Sequence, residues 1–301
     1  MFNEYFSRQL QSSKLRLPSE SSIQQFLQKY GPSARDCYAF SGSVSHYHRL
    51  VHDRMKNTAW DTITDILTAR IGMDDGSHKL ILVRPSPTDR SSSSLSIITT
   101  TVGHLLHERD SDAWWQNARK LYRTLRADPH SQSTAGKLLE PPFHALCIKG
   151  TSFQLSSMNV KPGGWTQDTF TNDSANNHAV LTLPPQQHIL FDREHPITTL
   201  NANHYYQPTH GTQPSYDSFV FNPDNAIFTL FQVTCGLTHP VLLKGINAVI
   251  DLATQLGVNN PLVHFVAVVP EGSRVELLVP KNREFLLQMF CIEITESELY
   301  D

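Results

Sequence analysis

The residues best placed for chemistry are Asp217, Gln232 and Thr234, which belong to two neighbouring predicted strands. Asp217 opens the first strand, and Gln232 and Thr234 stand two positions apart on the second, so their side chains point to one face of a sheet. Carboxylate and amide oxygens are ligands that a hard cation such as Mg²⁺ takes. The pattern indicates a divalent-metal site, although Gln232 brings no charge and Thr234 no ammonium group. The alternative is a strand-edge aspartate beside a satisfied hydrogen-bond pair formed by Gln232 and Thr234.

The elements that would position these residues follow from the hydrophobic pattern of residues 131–301. A short helix over Pro141 to Lys149 precedes five predicted strands, which are Phe153 to Met158, Ala179 to Leu183, His188 to Phe191, Asp217 to Phe221 and Ala226 to Thr234. The turn Asn222-Pro223-Asp224-Asn225 predicts that the last two strands form an antiparallel hairpin. A long helix over Thr238 to Leu256 and a wholly apolar strand over Leu262 to Val269 complete the half.

This αβββαβ order is that of the restriction-endonuclease-like core, so we predict an α/β (α+β) fold of that kind for residues 131–301. In that fold an Asp on the second core strand and an acid on the third hold a divalent metal. A Lys two residues after the acid activates water or stabilises charge on the phosphate. Asp217 matches the Asp, whereas Gln232 and Thr234 occupy the acid-x-Lys positions. Lys244 on the long helix is the candidate to replace the missing cation, and the alternative is an ordinary solvated lysine.

Several short segments of the chain also carry a family resemblance. They are Tyr216-Asp217-Ser218-Phe219, Phe231-Gln232-Val233-Thr234, His239-Pro240, Lys244-Gly245, Ala135-Gly136-Lys137-Leu138-Leu139-Glu140 with His144, and Tyr30-Gly31-Pro32-Ser33-Ala34-Arg35. Together these segments resemble Crinkler and retrotransposon-hot-spot proteins of fungi, oomycetes and trypanosomes. All but the last are similar to the C-terminal nuclease-like region of that family. The last is similar to a stretch near the end of its ATPase module.

The resemblance implies an effector-type or mobile-element-associated protein in which a nuclease-like domain is often coupled to an ATPase module. It also implies that Glu140 is a metal ligand together with Asp217 and Gln232. Pro141 and Pro142 suit only a first helical turn, which would put Glu140 at or before the helix start as an acid favoured by the helix dipole. No G-x-x-x-x-G-K-[ST] motif occurs in the sequence, so we expect no P-loop ATP site, and an ATPase would act as a partner.

Residues 1–130 show a different pattern, which predicts a separate small domain ending near Asp128-Pro129. The predicted elements are helices around Ile23 to Tyr30, Ala34 to Phe40 and Trp60 to Leu67, strands over Lys79 to Val83 and Leu95 to Thr101 joined by a serine-rich loop, and a helix carrying Trp114 to Leu125. Helices followed by a two-stranded wing favour a winged-helix-like domain. The last helix carries a basic cluster formed by Arg119, Lys120, Arg123 and Arg126. This cluster is either a solvated helix face or a contact with phosphate.

Composition limits the environment and the partners. The net charge of −3 means that nucleic-acid binding would need a local basic face rather than bulk attraction. The four cysteines are far apart, three of them within apolar runs, which favours free thiols in a reducing compartment. No run approaches the ~18 apolar residues of a membrane span. We therefore predict a soluble intracellular protein, nuclear or cytoplasmic, with no membrane partner.

Two main functions remain open. The first is Mg²⁺- or Mn²⁺-dependent hydrolysis of DNA or RNA, with Asp217, Gln232 and Glu140 placing the metal and Lys244 supplying the cation. The second is an inactive nuclease fold that binds nucleic acid or a host protein, because loss of an anionic ligand and of a cation weakens metal affinity and charge stabilisation. A third reading is a winged-helix-like scaffold whose ATPase partner acts in trans. The relative positions of these side chains in space distinguish the readings.

Overall fold

The computed structural model describes residues 18–31, 33–67, 79–85, 93–97, 99, 102, 111–126, 132–161, 166–173, 178–192, 195–209, 215–281 and 285–300. Within these residues the chain is a mixed α/β protein with several helices and one large sheet of eight strands. No helix in these ranges is long and apolar enough to cross a membrane.

The N-terminal part begins with a group of helices. They are α1 (Glu20–Tyr30), α2 (Ala34–Phe40), a 3-10 turn (Ser41–Ser43), α3 (Val44–Asn57) and α4 (Trp60–Leu67). The predicted helix around Ile23 to Tyr30 is confirmed as α1. Ser19 caps it by accepting from the amide of Ser22, and Gly31 ends it at a φ of 84°. Helix α3 was not predicted.

A two-stranded ribbon and a helix follow. Strands β1 (Ile81–Pro85) and β2 (Ser93–Ile97) pair antiparallel, which confirms the predicted hairpin. The predicted loop residues Ser93 and Ser94 belong to β2, while Ser91, Ser92 and the expected strand end at Thr101 lie outside the described residues. Helix α5 (Ser111–Arg126) carries the basic cluster, and the proposed boundary at Asp128-Pro129 also lies outside the described part. The winged-helix-like character of this region stays a prediction.

The C-terminal part holds the remaining elements. They are α6 (Gln132–Lys149), β3 (Thr151–Ser157), β4 (Asn159–Lys161), β5 (Gln167–Thr171), β6 (His178–Leu183), β7 (Gln187–Phe191), β8 (His204–Pro208), β9 (Ser218–Asn222), β10 (Ile227–Val233), β11 (Thr238–Pro240), α7 (Leu243–Gln255), β12 (Leu262–Pro270), β13 (Glu276–Pro280), β14 (Leu287–Ile294) and α8 (Glu296–Tyr300). The five predicted strands and the apolar strand Leu262 to Val269 all occur, whereas β4, β5, β8, β11, β13 and β14 were not predicted.

The eight-stranded sheet has the order β6-β3-β14-β12-β10-β9-β8-β7. Strands β8, β9 and β10 form an antiparallel meander, and β10 pairs in parallel with β12 after the chain crosses through α7. Strand β12 lies in the middle and is buried along nearly its whole length, as its apolar sequence predicts. A smaller sheet has the order β11-β13-β5-β4.

Helix α6 corrects the prediction for Glu140. It begins at Gln132 rather than Pro141, so Pro141 and Pro142 lie inside the helix and Glu140 lies in its middle. A proline removes the amide that would serve the carbonyl four residues earlier. For Pro142 that carbonyl belongs to Leu138, and the hydroxyl of Tyr300 donates to it at 3.5 Å. Burial of Leu138, Leu139 and Phe143 in the core favours the helix despite the prolines.

The start of α7 corrects the predicted start of the long helix. The predicted helix begins at Thr238, but Thr238–Pro240 forms β11, which pairs in parallel with β13. A proline restricts the preceding residue to extended conformations, so His239 favours the strand. Helix α7 begins at Leu243, and Lys244 is therefore its second residue.

One core cluster contains side chains from both halves of the chain. Leu121 and Leu125 of α5 belong to the same cluster as Leu138 of α6 and Ile292 of β14. The division into domains at residues 130 and 131 stays a prediction.

Candidate carboxylate site

Asp217 is fixed at the end of the β9–β10 hairpin by its own backbone and by its side chain. Its amide donates to the carbonyl of Phe231 at 2.8 Å. Its Oδ2 accepts from the amide of Val233 at 2.7 Å and from Nε2 of Gln232 at 2.9 Å. The hairpin register therefore holds this carboxylate against the last residues of β10.

Helix α6 brings Glu140 to the same place. The helix lies close to the chain that follows β10, since a Cβ added to the buried Gly136 would be 3.5 Å from the amide nitrogen of Cys235 and 3.8 Å from Cα of Thr234. One turn further on, Glu140 interacts electrostatically with Asp217. Two carboxylates from distant parts of the sequence thus form one site.

Burial changes the ionisation of this pair. Desolvation raises the pKa of Asp217 from 3.8 to about 7, against the opposing effect of the hydrogen bonds from Val233 and Gln232. The pKa of Glu140 is raised well above its usual value, first by desolvation and then by the charge of Asp217, while Lys137 lowers it. Taken as whole residues, Glu140 and Asp217 are half-buried. Near neutral pH the pair therefore retains a proton that a cation would displace.

Lys137 adds a positive charge to this site. It precedes Glu140 by three residues on α6, which places both side chains on one face of the helix, and its charge lowers the pKa of Glu140. The sequence analysis placed Lys137 in a motif but gave it no role. The signal that could have found it is the spacing of a lysine and a glutamate three residues apart, which is meaningful only once the helix is known to begin before Pro141.

Gln232 and Thr234 are each satisfied, but by different partners rather than by each other. Gln232 donates to Asp217 and also to the carbonyl of Val233 at 3.3 Å. Thr234 accepts from the amide of Gly236 at 3.1 Å, and its own amide donates to Val268 at 2.9 Å. Gln232 therefore supports the carboxylate as a donor, while the Thr234 hydroxyl is engaged in a local turn.

Lys244 lies near the site but outside its contacts. The hydroxyl of Ser215 bonds both the amide and the carbonyl of Leu242, at 2.5 and 2.8 Å, and so ties the start of α7 to the segment before Asp217. Lys244 is exposed, and its side chain makes no hydrogen bond or ion pair with the described residues. Its predicted role as the replacement cation stays a prediction.

A buried polar chain lies behind the carboxylates and was missed because β8 was not predicted. Nδ1 of His144 lies 2.6 Å from the hydroxyl of Tyr205, which lies 2.5 Å from Oγ of Ser218. His144 follows Glu140 by one turn of α6, and Ser218 follows Asp217. Burial raises the pKa of Tyr205 far above its usual value, so the phenol stays neutral. The chain links α6 to β8 and β9 and thereby fixes the two carboxylates relative to each other.

The donor set suits one class of metal. In the described ranges no group of three or more His, Cys, Asp or Glu side chains has the arrangement of a metal site. Mg²⁺ is bound by one or two carboxylates and keeps several of its waters, so Glu140 and Asp217 fit it. Structural zinc takes four protein ligands and catalytic zinc three, which this pair does not supply.

Comparison with family models, curated proteins and solved structures gave no significant match for this chain. The resemblance to Crinkler and retrotransposon-hot-spot proteins therefore stays a prediction.

Proposed function

We propose that this chain carries a nuclease-like domain that hydrolyses phosphodiester bonds of nucleic acid with a divalent cation held by Glu140 and Asp217. The observation that carries the proposal is the pair of desolvated carboxylates whose pKa values are raised beside Lys137. Two such groups cannot both ionise cheaply, and a divalent cation removes that cost. Perturbed carboxylates that converge from a helix and a hairpin are typical of functional sites.

The order of the strands supports the same proposal. The meander β8-β9-β10, the crossover through α7 and the parallel strand β12 follow the order expected of a restriction-endonuclease-like core. In such a core Asp217 would precede the second strand, and α6 would be the opening helix. The chain departs from the simple order in one respect, since β3 to β7 lie between α6 and β8.

Each side chain has a definite task in the proposed reaction. A Mg²⁺ or Mn²⁺ ion held by Glu140 and Asp217 would polarise a phosphoryl oxygen and lower the pKa of the attacking water. The amide of Val233 and the side chain of Gln232 donate to Asp217, so its carboxylate is oriented before a cation binds. Lys137, rather than a lysine on β10, stabilises negative charge that builds up on the phosphate.

A cleavage assay with matched variants tests the proposal. We expect supercoiled plasmid or structured RNA to be cut with Mg²⁺ or Mn²⁺, and Asp217→Ala and Glu140→Gln to abolish cutting. Asp224→Asn is the control, because Asp224 is an exposed aspartate in the turn of the same hairpin. Calorimetric titration with Mn²⁺ gives a readout without turnover, and both site variants should lose the binding that Asp224→Asn keeps. The proposal would be refuted if the wild type cut nucleic acid no more than Asp217→Ala does and bound no Mn²⁺.

A second candidate function is an inactive relative of the same fold that binds nucleic acid or a protein. The observation that favours it is Gln232, which stands where the fold expects an acid and donates to Asp217 instead of adding a charge. This candidate predicts binding without turnover. Metal-dependent strand scission that is lost in Asp217→Ala contradicts it.

A further inference from the structure

The basic cluster of α5 lines a pocket of about 390 Å³ next to the C-terminus of β14. Its walls include Arg119, Tyr122, Arg123 and Arg126 of α5, and Glu271 and Glu296 face them. The fourth basic residue, Lys120, is not part of the lining and pairs with the exposed Asp61 at 3.4 Å. The structure thus divides the cluster into three pocket arginines and one surface lysine.

The pocket carries a surplus of positive charge. Nε of Arg119 and Nε of Arg123 both donate to the same oxygen of Glu296, at 3.1 and 2.7 Å. Arg126 donates to the backbone carbonyl of Glu271 at 3.0 Å and to the hydroxyl of Ser273 at 3.2 Å. Among the described lining residues, three arginines therefore stand against two acidic residues, Glu271 and Glu296. Each guanidinium has five N–H donors, and Arg123, which is 60% exposed, uses one of them on Glu296.

The pocket is also connected to the carboxylate site. Tyr122 and Arg126 interact electrostatically with Cys235, and Cys235 interacts in the same way with Glu140. The backbone of Cys235 lies against Gly136 of α6, as described above. Cys235 therefore interacts with residues of both the arginine pocket and the carboxylate pair.

We propose that the arginine pocket binds a backbone phosphate of the nucleic acid whose scissile phosphodiester lies at Glu140 and Asp217. The identity of the ligand rests on the proposed function, whereas the pocket itself does not. Guanidinium groups recognise phosphate through paired donors, and a phosphate oxygen would compete with Glu296 for Arg119 and Arg123. The other reading of the same contacts is an ion pair that only joins α5 to α8.

The salt dependence of binding gives the size of the effect. Each phosphate contact contributes a slope of about 0.9 to the fall of affinity with salt on logarithmic axes. A fourfold rise in salt therefore weakens binding by roughly 3.5-fold for each contact. Loss of one arginine contact should lower the slope by about 1 for every sequence alike.

The experiment measures binding of a short fluorescein-labelled DNA duplex, and of an RNA duplex of the same sequence, across a KCl series in EDTA. Arg123→Gln and Arg126→Gln should each reduce the slope by about 1, and Lys120→Gln, which removes the same charge outside the pocket, should reduce it by clearly less. Glu296→Gln should raise affinity because it releases two arginines and removes a repulsive charge. Thermal unfolding identifies any variant that has lost its fold, and the exposed Arg123 provides the milder substitution.

The outcomes separate the two proposals. An unchanged slope in Arg123→Gln, or weaker binding in folded Glu296→Gln, overturns the phosphate site and favours the interhelical ion pair. Titration with inorganic phosphate tests whether the pocket binds a free anion instead of a nucleic-acid backbone. If Arg123→Gln loses phosphate binding but keeps the salt dependence of duplex binding, the proposed backbone-phosphate site is also overturned. Because EDTA prevents cleavage, an inactive protein can still show the predicted slopes. If the protein cleaves nucleic acid but the arginine variants keep the wild-type slope, the arginine-pocket proposal fails and the proposed nuclease function stands.

Discussion

The substitution Asp217→Asn should stabilise the protein above neutral pH while it removes the proposed metal site. In the folded chain the pKa of Asp217 is raised from 3.8 to about 7, so the folded state holds a proton that the unfolded state has released. The free energy of unfolding therefore falls as pH rises from about 4 to about 7, and the penalty is absent below this window and complete above it. Asparagine keeps the oxygen that accepts from Val233 and carries no charge.

The size of this effect follows from the pKa. At about 1.4 kcal/mol per pH unit, a carboxyl raised from 3.8 to about 7 corresponds to a ceiling of about 4 kcal/mol. Partial solvent access and the proton shared with Glu140 reduce it, so we expect Asp217→Asn to gain roughly 2 kcal/mol at high pH and nothing near pH 4.

Urea denaturation of the two proteins across this pH range measures the effect. Asp224→Asn in the turn of the same hairpin is the matched control and should show no comparable gain. Added Mg²⁺ should restore the stability of the wild type at high pH and leave Asp217→Asn unchanged. A variant that is less stable than the wild type at high pH, or a difference that does not depend on pH, would refute the reasoning.

Three further predictions concern the surroundings of the pair. Lys137→Met should raise the pKa of Glu140 further and shift Mn²⁺ binding to higher pH, measured by calorimetry at several pH values, whereas Lys149→Met at the end of the same helix should not. Tyr205→Phe should cost about 1–3 kcal/mol in urea denaturation because it removes the buried hydrogen bonds that the Tyr205 hydroxyl makes with His144 and Ser218. A substitution without effect on stability would contradict the buried chain. Tyr300→Phe should lower the free energy of unfolding by about 0.5–1 kcal/mol because the carbonyl of Leu138 loses this donor. The loss should be smaller in a Pro142→Ala background, where the restored amide donates to the same carbonyl. Equal losses in both backgrounds would exclude this role of Tyr300.

The parts of the fold that sequence predicts well are those fixed by local signals. The turn Asn222-Pro223-Asp224-Asn225 determines the β9–β10 hairpin, and the apolar run of β12 determines a strand buried on both faces. Ser19 and Gly31 mark both ends of α1 for the same reason. In each case the residues that decide the structure lie within or beside the element.

The predictions from sequence are wrong where a residue far away in the chain determines the local structure. The rule that prolines end helices is local, and it does not include Tyr300, which reaches the carbonyl that Pro142 leaves without an amide. Helix α7 is shortened because Thr238–Pro240 pairs with β13, a strand that was not predicted. Three of the five predicted site residues, Glu140, Asp217 and Gln232, converge because a helix and a hairpin meet, while Lys244 stays outside their contacts.

The position of α6 also explains how a strand without an acid and a lysine can belong to a charged site. The helix backbone at Gly136 lies against Thr234, the position where the strand motif would carry its lysine. Lys137 follows Gly136 on this helix, and its charge lowers the pKa of Glu140. The same helix thus contributes both an acid and a cation, and Gln232 is left to orient Asp217 as a donor. In the proposed site α6 supplies the acid and the lysine that β10 lacks, so the residues of β10 alone do not indicate the charges of the site.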